Sequence, residues 1–296
     1  MPHRFSLAYL TVPGVTPAEQ TYLAAECGYD HVSFRLAHLG VAGEPDIDPA
    51  SPKVIGEAKR ALAETGLTCF DIELVRIVRN MEASSFVRAF EAGAELGAEH
   101  VICSAWTDVR NDRAFVVDRF SEICELAAPF GLTVNLEFPA FSRLTRLEEV
   151  LEVLELAGMS NAGVLIDTLY MHFNRTPLSV LRRLPADWVH FMHICDAECV
   201  SYTKDEMIHT ARDARLYVGE GAIDFSRINE EFPELPLAIE LPNEKRSQEL
   251  GHLEHARRCL ASAQSVLNTT HVKLENPKDE APWTREECHG ARRHAG

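Results

Sequence analysis

No apolar run in this chain reaches the ~18–20 residues that a membrane-spanning helix needs. The first residues, Met1 to Ser6, show no charged segment leading into an apolar core, so no secretory leader is read there and a cytoplasmic location is expected. Eight cysteines stand at 27, 69, 103, 124, 195, 199, 259 and 288, and none forms a C-x-x-C pair. That spacing argues against a zinc ribbon and favours reduced, mostly buried thiols. Lysine and arginine are scarce beside acids, 29 against 45, which leaves a formal charge of −16 and no Lys/Arg-rich run. A polyanionic partner such as nucleic acid is therefore disfavoured. No Gly-x-Gly-x-x-Gly follows a strand-like segment, which removes the main support for a doubly wound nucleotide-binding sheet.

What is present is a large apolar fraction, 46% of 296 residues, arranged in alternating strand-like and helix-like segments. Strands are expected at 5–12, 31–36, 67–74, 100–105, 132–138, 163–168, 188–194 and 236–241. Helices are expected between them, with clear boundary signals. Thr16, Pro17 and Glu19 form a capping box with proline at the first helical position, and Gly28 ends that helix. Ser51, Pro52 and Gly66 bracket the next one in the same way. Eight strands separated by helices predict parallel βα units closing into a single (β/α)8 TIM barrel, which typically takes ~250 residues. The barrel is expected over 1–267, with a long loop between strands seven and eight (197–235) and a mobile C-terminal tail over 268–296.

Four of the apolar strands end on a metal-ligand type of side chain: Glu137, Asp167, His193 and Glu240. In a barrel, consecutive strand ends converge on one face. Three converging carboxylates repel one another unless a cation lies among them. Two Glu, one Asp and one His form a hard, oxygen-rich set suited to one divalent ion: Mn²⁺, Mg²⁺, Co²⁺, Fe²⁺ or Zn²⁺.

The segments Asn135-Leu136-Glu137, Leu165-Ile166-Asp167-Thr168, His193-Ile194-Cys195-Asp196, Gly219-Glu220-Gly221 and Ala238-Ile239-Glu240 resemble the xylose-isomerase-like TIM-barrel superfamily, in its sugar phosphate isomerase/epimerase branch. The resemblance implies that Glu137, Asp167, His193 and Glu240 hold the metal. It also implies that Glu137 and Glu240 act as the acid/base pair of a proton transfer through an enediolate. The implied activity is isomerisation or epimerisation of a ketose or keto-sugar-like small molecule, or of a related keto-acid. A metal-dependent lyase, dehydrating a keto-cyclitol or a dehydroshikimate-like acid, is the alternative, because it shares the first proton abstraction. A barrel without catalysis, serving as a subunit, is a third reading. The DNA-binding endonuclease branch is disfavoured by the single histidine of the metal set and by the net charge.

Candidate substrate-binding residues are Arg212 and Arg215, whose guanidinium groups could grip a carboxylate or phosphate, together with Glu73, Trp106, His172 and Glu198. His172 departs from the epimerase pattern, being displaced by two positions after Asp167-Thr168. Asp196 either orients His193 or caps the loop that follows. A homo-oligomer is compatible with the resemblance; neither nucleic acid nor membrane is expected as a partner.

Overall fold

The computed structural model describes residues 3–40, 44–107, 109–181 and 183–269. The sheet strands are β1 (Phe5–Leu7), β2 (His31–Arg35), β3 (Thr68–Ile77), β4 (His100–Ala105), β5 (Thr133–Glu137), β6 (Ala162–Val164), β7 (Ile166–Asp167), β8 (Met192–Ile194) and β9 (Leu237–Ile239). The helices are α1 (Pro17–Cys27), α2 (Pro52–Thr65), α3 (Val87–Glu95), α4 (Val109–Ala127), α5 (Leu147–Ala157), α6 (Thr168–Asn174), α7 (Leu178–Leu181), α8 (Lys204–Asp213), α9 (Phe225–Glu231) and α10 (Glu244–Thr269). All pairings are parallel, in the order β6-β5-β4-β3-β2-β1-β9-β8-β7. The result is a nearly closed α/β TIM barrel with helices outside, as the alternation predicts.

The eight expected strands become nine because the sixth is split. β6 pairs with β5, and β7 pairs with β8. Leu165 lies between them, its N–H bonded to Leu136 O at 3.1 Å. One short strand thus changes partner midway and forms the seam of the barrel. The seventh strand starts later than expected: Ala186–Trp188 form a 3₁₀ turn after Pro185, and ladder pairing begins only at Met192. β3 runs three residues beyond its expected end, to Ile77, and carries a register shift against β4 between Ile72 and Val75. The 197–235 connection contains α8 and α9 rather than an irregular loop. The tail expected at 268–296 falls, from residue 270 on, outside the described residues.

Local signals explain the helix ends. The Thr16–Glu19 capping box is formed, Pro17 occupies the first turn, and Gly28 closes α1 at φ 90°. Thr203 and Glu206 form the same box at the start of α8. No helix among the described residues is long and apolar enough to cross a membrane. Cys69, Cys103, Cys124, Cys195 and Cys259 are buried free thiols and Cys27 a half-buried one. Cys199 corrects the expectation of thiols throughout, because it is disulfide-bonded.

Most of the core lies between sheet and helices. A second cluster, Phe70, Ile102, Leu165, Phe191 and Ala238, fills the barrel interior. His100 packs against it, 4.8 Å from Phe70 and 5.3 Å from Phe191 between ring centroids, and 5.0 Å from His190. Its Nδ1 is 2.6 Å from Thr133 Oγ1. Burial, with a smaller contribution from His190, pushes His100 down from 6.5 to about 3. The folded protein therefore keeps His100 neutral where the unfolded chain would protonate it. Stability from this residue is intact above pH 6.5 and is lost as pH falls from there toward 3. Between pH 7 and pH 5 the loss is about 2 kcal/mol. Urea unfolding at the two pH values should show that drop in wild type and a smaller one in His100→Gln; equal drops would assign the acid sensitivity to other groups.

Candidate active site

Side chains in register on neighbouring parallel strands point to the same face of the sheet. Asp167 on β7 pairs with His193 on β8, and His193 pairs with Ala238 on β9. Ala238 belongs to the interior cluster, so Asp167 and His193 face inward. Glu240, two residues beyond Ala238, faces inward as well. Glu137 on β5 is in register with Ser104 on β4, two residues along from Ile102 of the same interior cluster. All four strand-end residues are buried. The ligand atoms of Asp167, His193 and Glu240 lie within 4.8 Å of one another. Glu137 stands beside this triangle without joining so tight a group.

Arg215 holds the triangle from above. Its Nη1 donates to Asp167 Oδ2 at 2.9 Å, and its Nη2 lies 2.6 Å from Glu240 Oε2. The same guanidinium donates to Glu240 O at 3.0 Å and, through Nε, to Ala211 O at 2.9 Å. It is placed by the segment after α8. Arg215 N–H bonds Pro242 O at 3.1 Å, and Asn243 Nδ2 donates to Arg215 O at 2.9 Å. That segment therefore crosses the end of β9 and lays a fully buried cation over two carboxylates.

The electrostatics are those of crowded acids. Burial, then Glu240 beyond it, pushes Glu137 up to about 8. Burial raises Asp71, which accepts a hydrogen bond from Ser33, to about 7. Burial opposes the charged form of Glu240, but Arg215 and His193 together overcome it and hold Glu240 below the usual carboxylate range. Burial likewise opposes a charged His193, and the Glu240 carboxylate outweighs it, taking the imidazole up to about 9. Excess negative charge thus collects around His193. Its Nδ1 lies 3.4 Å from Glu240 Oε2, yet both buried ring nitrogens lack a hydrogen-bond partner. An unsatisfied imidazole beside two convergent carboxylates is the donor set a divalent cation would satisfy.

Residues 22–263 match the family described as xylose isomerase-like TIM barrel. The chain belongs to this family. A 3-dehydroshikimate dehydratase of Pseudomonas putida (strain KT2440) is 25% identical over 234 residues, 75% of this chain and 34% of that protein. An L-ribulose 3-epimerase of Mesorhizobium japonicum is 23% identical over 249 residues, 83% of this chain and 76% of the epimerase. The chain spans about a third of the dehydratase it matches. Among solved structures, the IolI protein with a bound zinc atom superposes with a TM-score of 0.76 at 16% identity, covering 91% of this chain and all of that one. This likeness extends the family's fold to nearly the whole described chain.

The other sequence-derived candidates divide into two groups. Glu73 stands near the triangle: its Oε1 is 3.2 Å from Arg35 Nη2, and Glu240 and His193 act on its charge. Trp106 lies at the mouth, its Nε1 donating to Ser104 Oγ at 2.9 Å. Arg212 is exposed on α8, in contrast to buried Arg215. His172 and Glu198 meet each other instead of the triangle, His172 Nε2 lying 3.1 Å from Glu198 O. Asp196 serves the loop: Gly219, Gly221, Ile223 and Ala197 all donate backbone N–H bonds to its carboxylate, at 3.0, 2.8, 3.0 and 2.8 Å. Gly221 must be glycine there, since a Cβ would lie 2.1 Å from Ala197 O. Three contributors had no place among the sequence candidates. Tyr170 lies below Arg215, with the guanidinium 5.9 Å from its ring centroid. Phe141 bridges Tyr170 and Trp106, at 5.9 and 6.1 Å. Arg76 faces the same interior, in register with Ser104.

Proposed function

We propose that this protein is a divalent-metal-dependent enzyme that moves a proton at a carbon next to a carbonyl, isomerising or epimerising a small polyhydroxylated ketone. The observation that carries the reading is the convergence of Asp167, His193 and Glu240 within 4.8 Å, with Glu137 beside them. Asp167, His193, Glu240 and Glu137 would hold the ion. When bound, such an ion polarises a carbonyl and stabilises enediolate charge.

The chain's own groups supply the rest. Glu137 and Glu240 come from strands on opposite sides of the β6–β7 seam, so their carboxyl groups can address opposite faces of a substrate lying between them. A carboxyl raised toward neutrality, as Glu137 is, suits general acid–base work near pH 7. Arg215 fixes Glu240 through one oxygen and keeps it ionised. Trp106, Phe141 and Tyr170 form an apolar wall against which a sugar's C–H face can lie. Similarity to sugar epimerases and inosose isomerases supports this class of substrate. A dehydratase is the second reading, favoured by the match to a 3-dehydroshikimate dehydratase.

Two measurements test the proposal. Elemental analysis should find about one divalent ion per chain in wild type, lost in His193→Ala. Metal-loaded enzyme with keto-sugar substrates in D₂O should wash deuterium into recovered substrate and product without loss of water. Glu137→Gln should slow that exchange by about 10²–10⁴-fold. Loss of water with formation of a conjugated product would favour the dehydratase, and absence of any bound ion would sink both readings.

A further inference from the structure

The proposed chemistry leaves Arg76 without a role. Register pairs Arg76 on β3 with Ser104 on β4, and Ser104 with Glu137 on β5. The three share one row and project into the barrel. Arg35 pairs with Glu73 in the row below. In a regular strand Glu73 and Arg76, three apart, would point to opposite faces. The bulge between Ile72 and Val75 resets the alternation and brings both inside.

The Arg76 guanidinium lies 4.6 Å from the Trp106 ring centroid. Trp106 is pinned by its bond to Ser104, so one face of the guanidinium is covered by the ring. Arg76 Nε is buried without a hydrogen-bond partner. Among the described residues no carboxylate forms an ion pair with Arg76, although other arginines find acids readily. Burial lowers Arg76 and the like charge of Arg212 adds to this; Glu137 in the same row opposes them without forming an ion pair, and Arg35 adds a smaller push downward. Glu137 in the same row answers chiefly to Glu240. In a chain with 45 acids and a net charge of −16, an inward-facing arginine that no carboxylate among the described residues meets in an ion pair, with its buried Nε unpartnered, offers its guanidinium to an anion from outside.

We propose that Arg76, stacked on Trp106 and with Arg212 nearby, forms an anion subsite that holds a carboxylate or phosphate of the substrate, so that this enzyme acts on an acidic polyol rather than a neutral sugar. The inference rests on the barrel mouth being the substrate site. It names the substrate class and adds a specificity-determining residue.

The test uses metal-loaded full-length protein and three matched six-carbon probes: sorbitol, gluconate and sorbitol 6-phosphate. Titration calorimetry should show gluconate or sorbitol 6-phosphate binding about 10- to 100-fold more tightly than sorbitol. The probe that gains identifies the anion as carboxylate or phosphate. Arg76→Met should abolish the preference while leaving sorbitol affinity and metal content unchanged, and Arg76→Lys should restore part of it. If Arg76→Met does not fold, Arg212→Gln is read in its place and should weaken the charged probe alone. Equal binding of the three probes by wild type, or a preference that survives Arg76→Met, overturns the subsite. Intact metal binding and deuterium exchange in that case would leave the proposed function standing, whereas a missing ion would remove the function first.

Discussion

Arg215→Met is expected to destabilise the metal-free protein by about 3–5 kcal/mol, because it leaves two buried carboxylates without their cation. Asp167 and Glu240 both lose an ion pair with Arg215, at 2.9 and 2.6 Å. The backbone oxygens of Ala211 and Glu240 lose a donor at the same time. Methionine fills similar volume, so the cost reports charge rather than a cavity. Arg215→Lys should rescue only part, since one ammonium cannot reproduce the planar fork that reaches both acids and a carbonyl. Adding a divalent cation should stabilise Arg215→Met more than wild type, because the ion then meets carboxylates with no competing partner. Chemical unfolding with and without Mn²⁺ checks this. A variant within 1 kcal/mol of wild type, or a smaller metal effect than in wild type, would show that Arg215 and the cation do not share these carboxylates.

Asp196→Ala is expected to cost about 3–5 kcal/mol and to loosen the crossing segment that carries Arg215. Four backbone N–H groups converge on the Asp196 carboxylate, from Ala197, Gly219, Gly221 and Ile223. Alanine removes the shared side-chain acceptor of all four N–H groups at once, two of which, from Ala197 and Ile223, are buried. The 214–216 stretch is tied to the same residue, since Asp196 and Leu216 exchange backbone bonds at 2.9 Å in each direction. Asp196→Asn keeps one acceptor oxygen and should fall between. Thermal unfolding and proteolysis between α8 and β9 give the readout; equal protease resistance in wild type and Asp196→Ala would mean that the loop is held by its apolar contacts alone.

Much of this was legible because buried strands announce themselves by apolar runs, and a charged residue closing such a run has few places to go. Glu137, Asp167, His193 and Glu240 are legible that way as buried residues at inward-facing strand ends, and the fold follows from the repeated strand–helix rhythm. Arg215 is nameable as a loop arginine, but its burial depends on two antiparallel bridges, Asp196 with Leu216 and Ala214 with Asn243, that join residues far apart in sequence. Arg76 was missed for a different reason. An extra residue in β3 inverts the two-residue alternation, and no composition signal marks the bulge. His172 stands two positions off the epimerase spacing, and the short α6 aims it at Glu198. The split of strand six could not be read either, since partner choice between β5 and β8 is a property of barrel closure.

That split leaves the two halves of the candidate site unequally supported. Asp167 has a hydrogen-bonded strand on one side only, at β8, whereas Glu137's strand is flanked by β4 and β6. Its position is kept by the Arg215 ion pair and by Leu169 N–H, which bonds Oδ1 at 2.8 Å. The seam thus leaves the fewest ladder bonds beside the one acid that is both helix cap and candidate ligand. If the proposed ligands hold an ion, Asp167 is the one among them whose strand has a ladder partner on a single side.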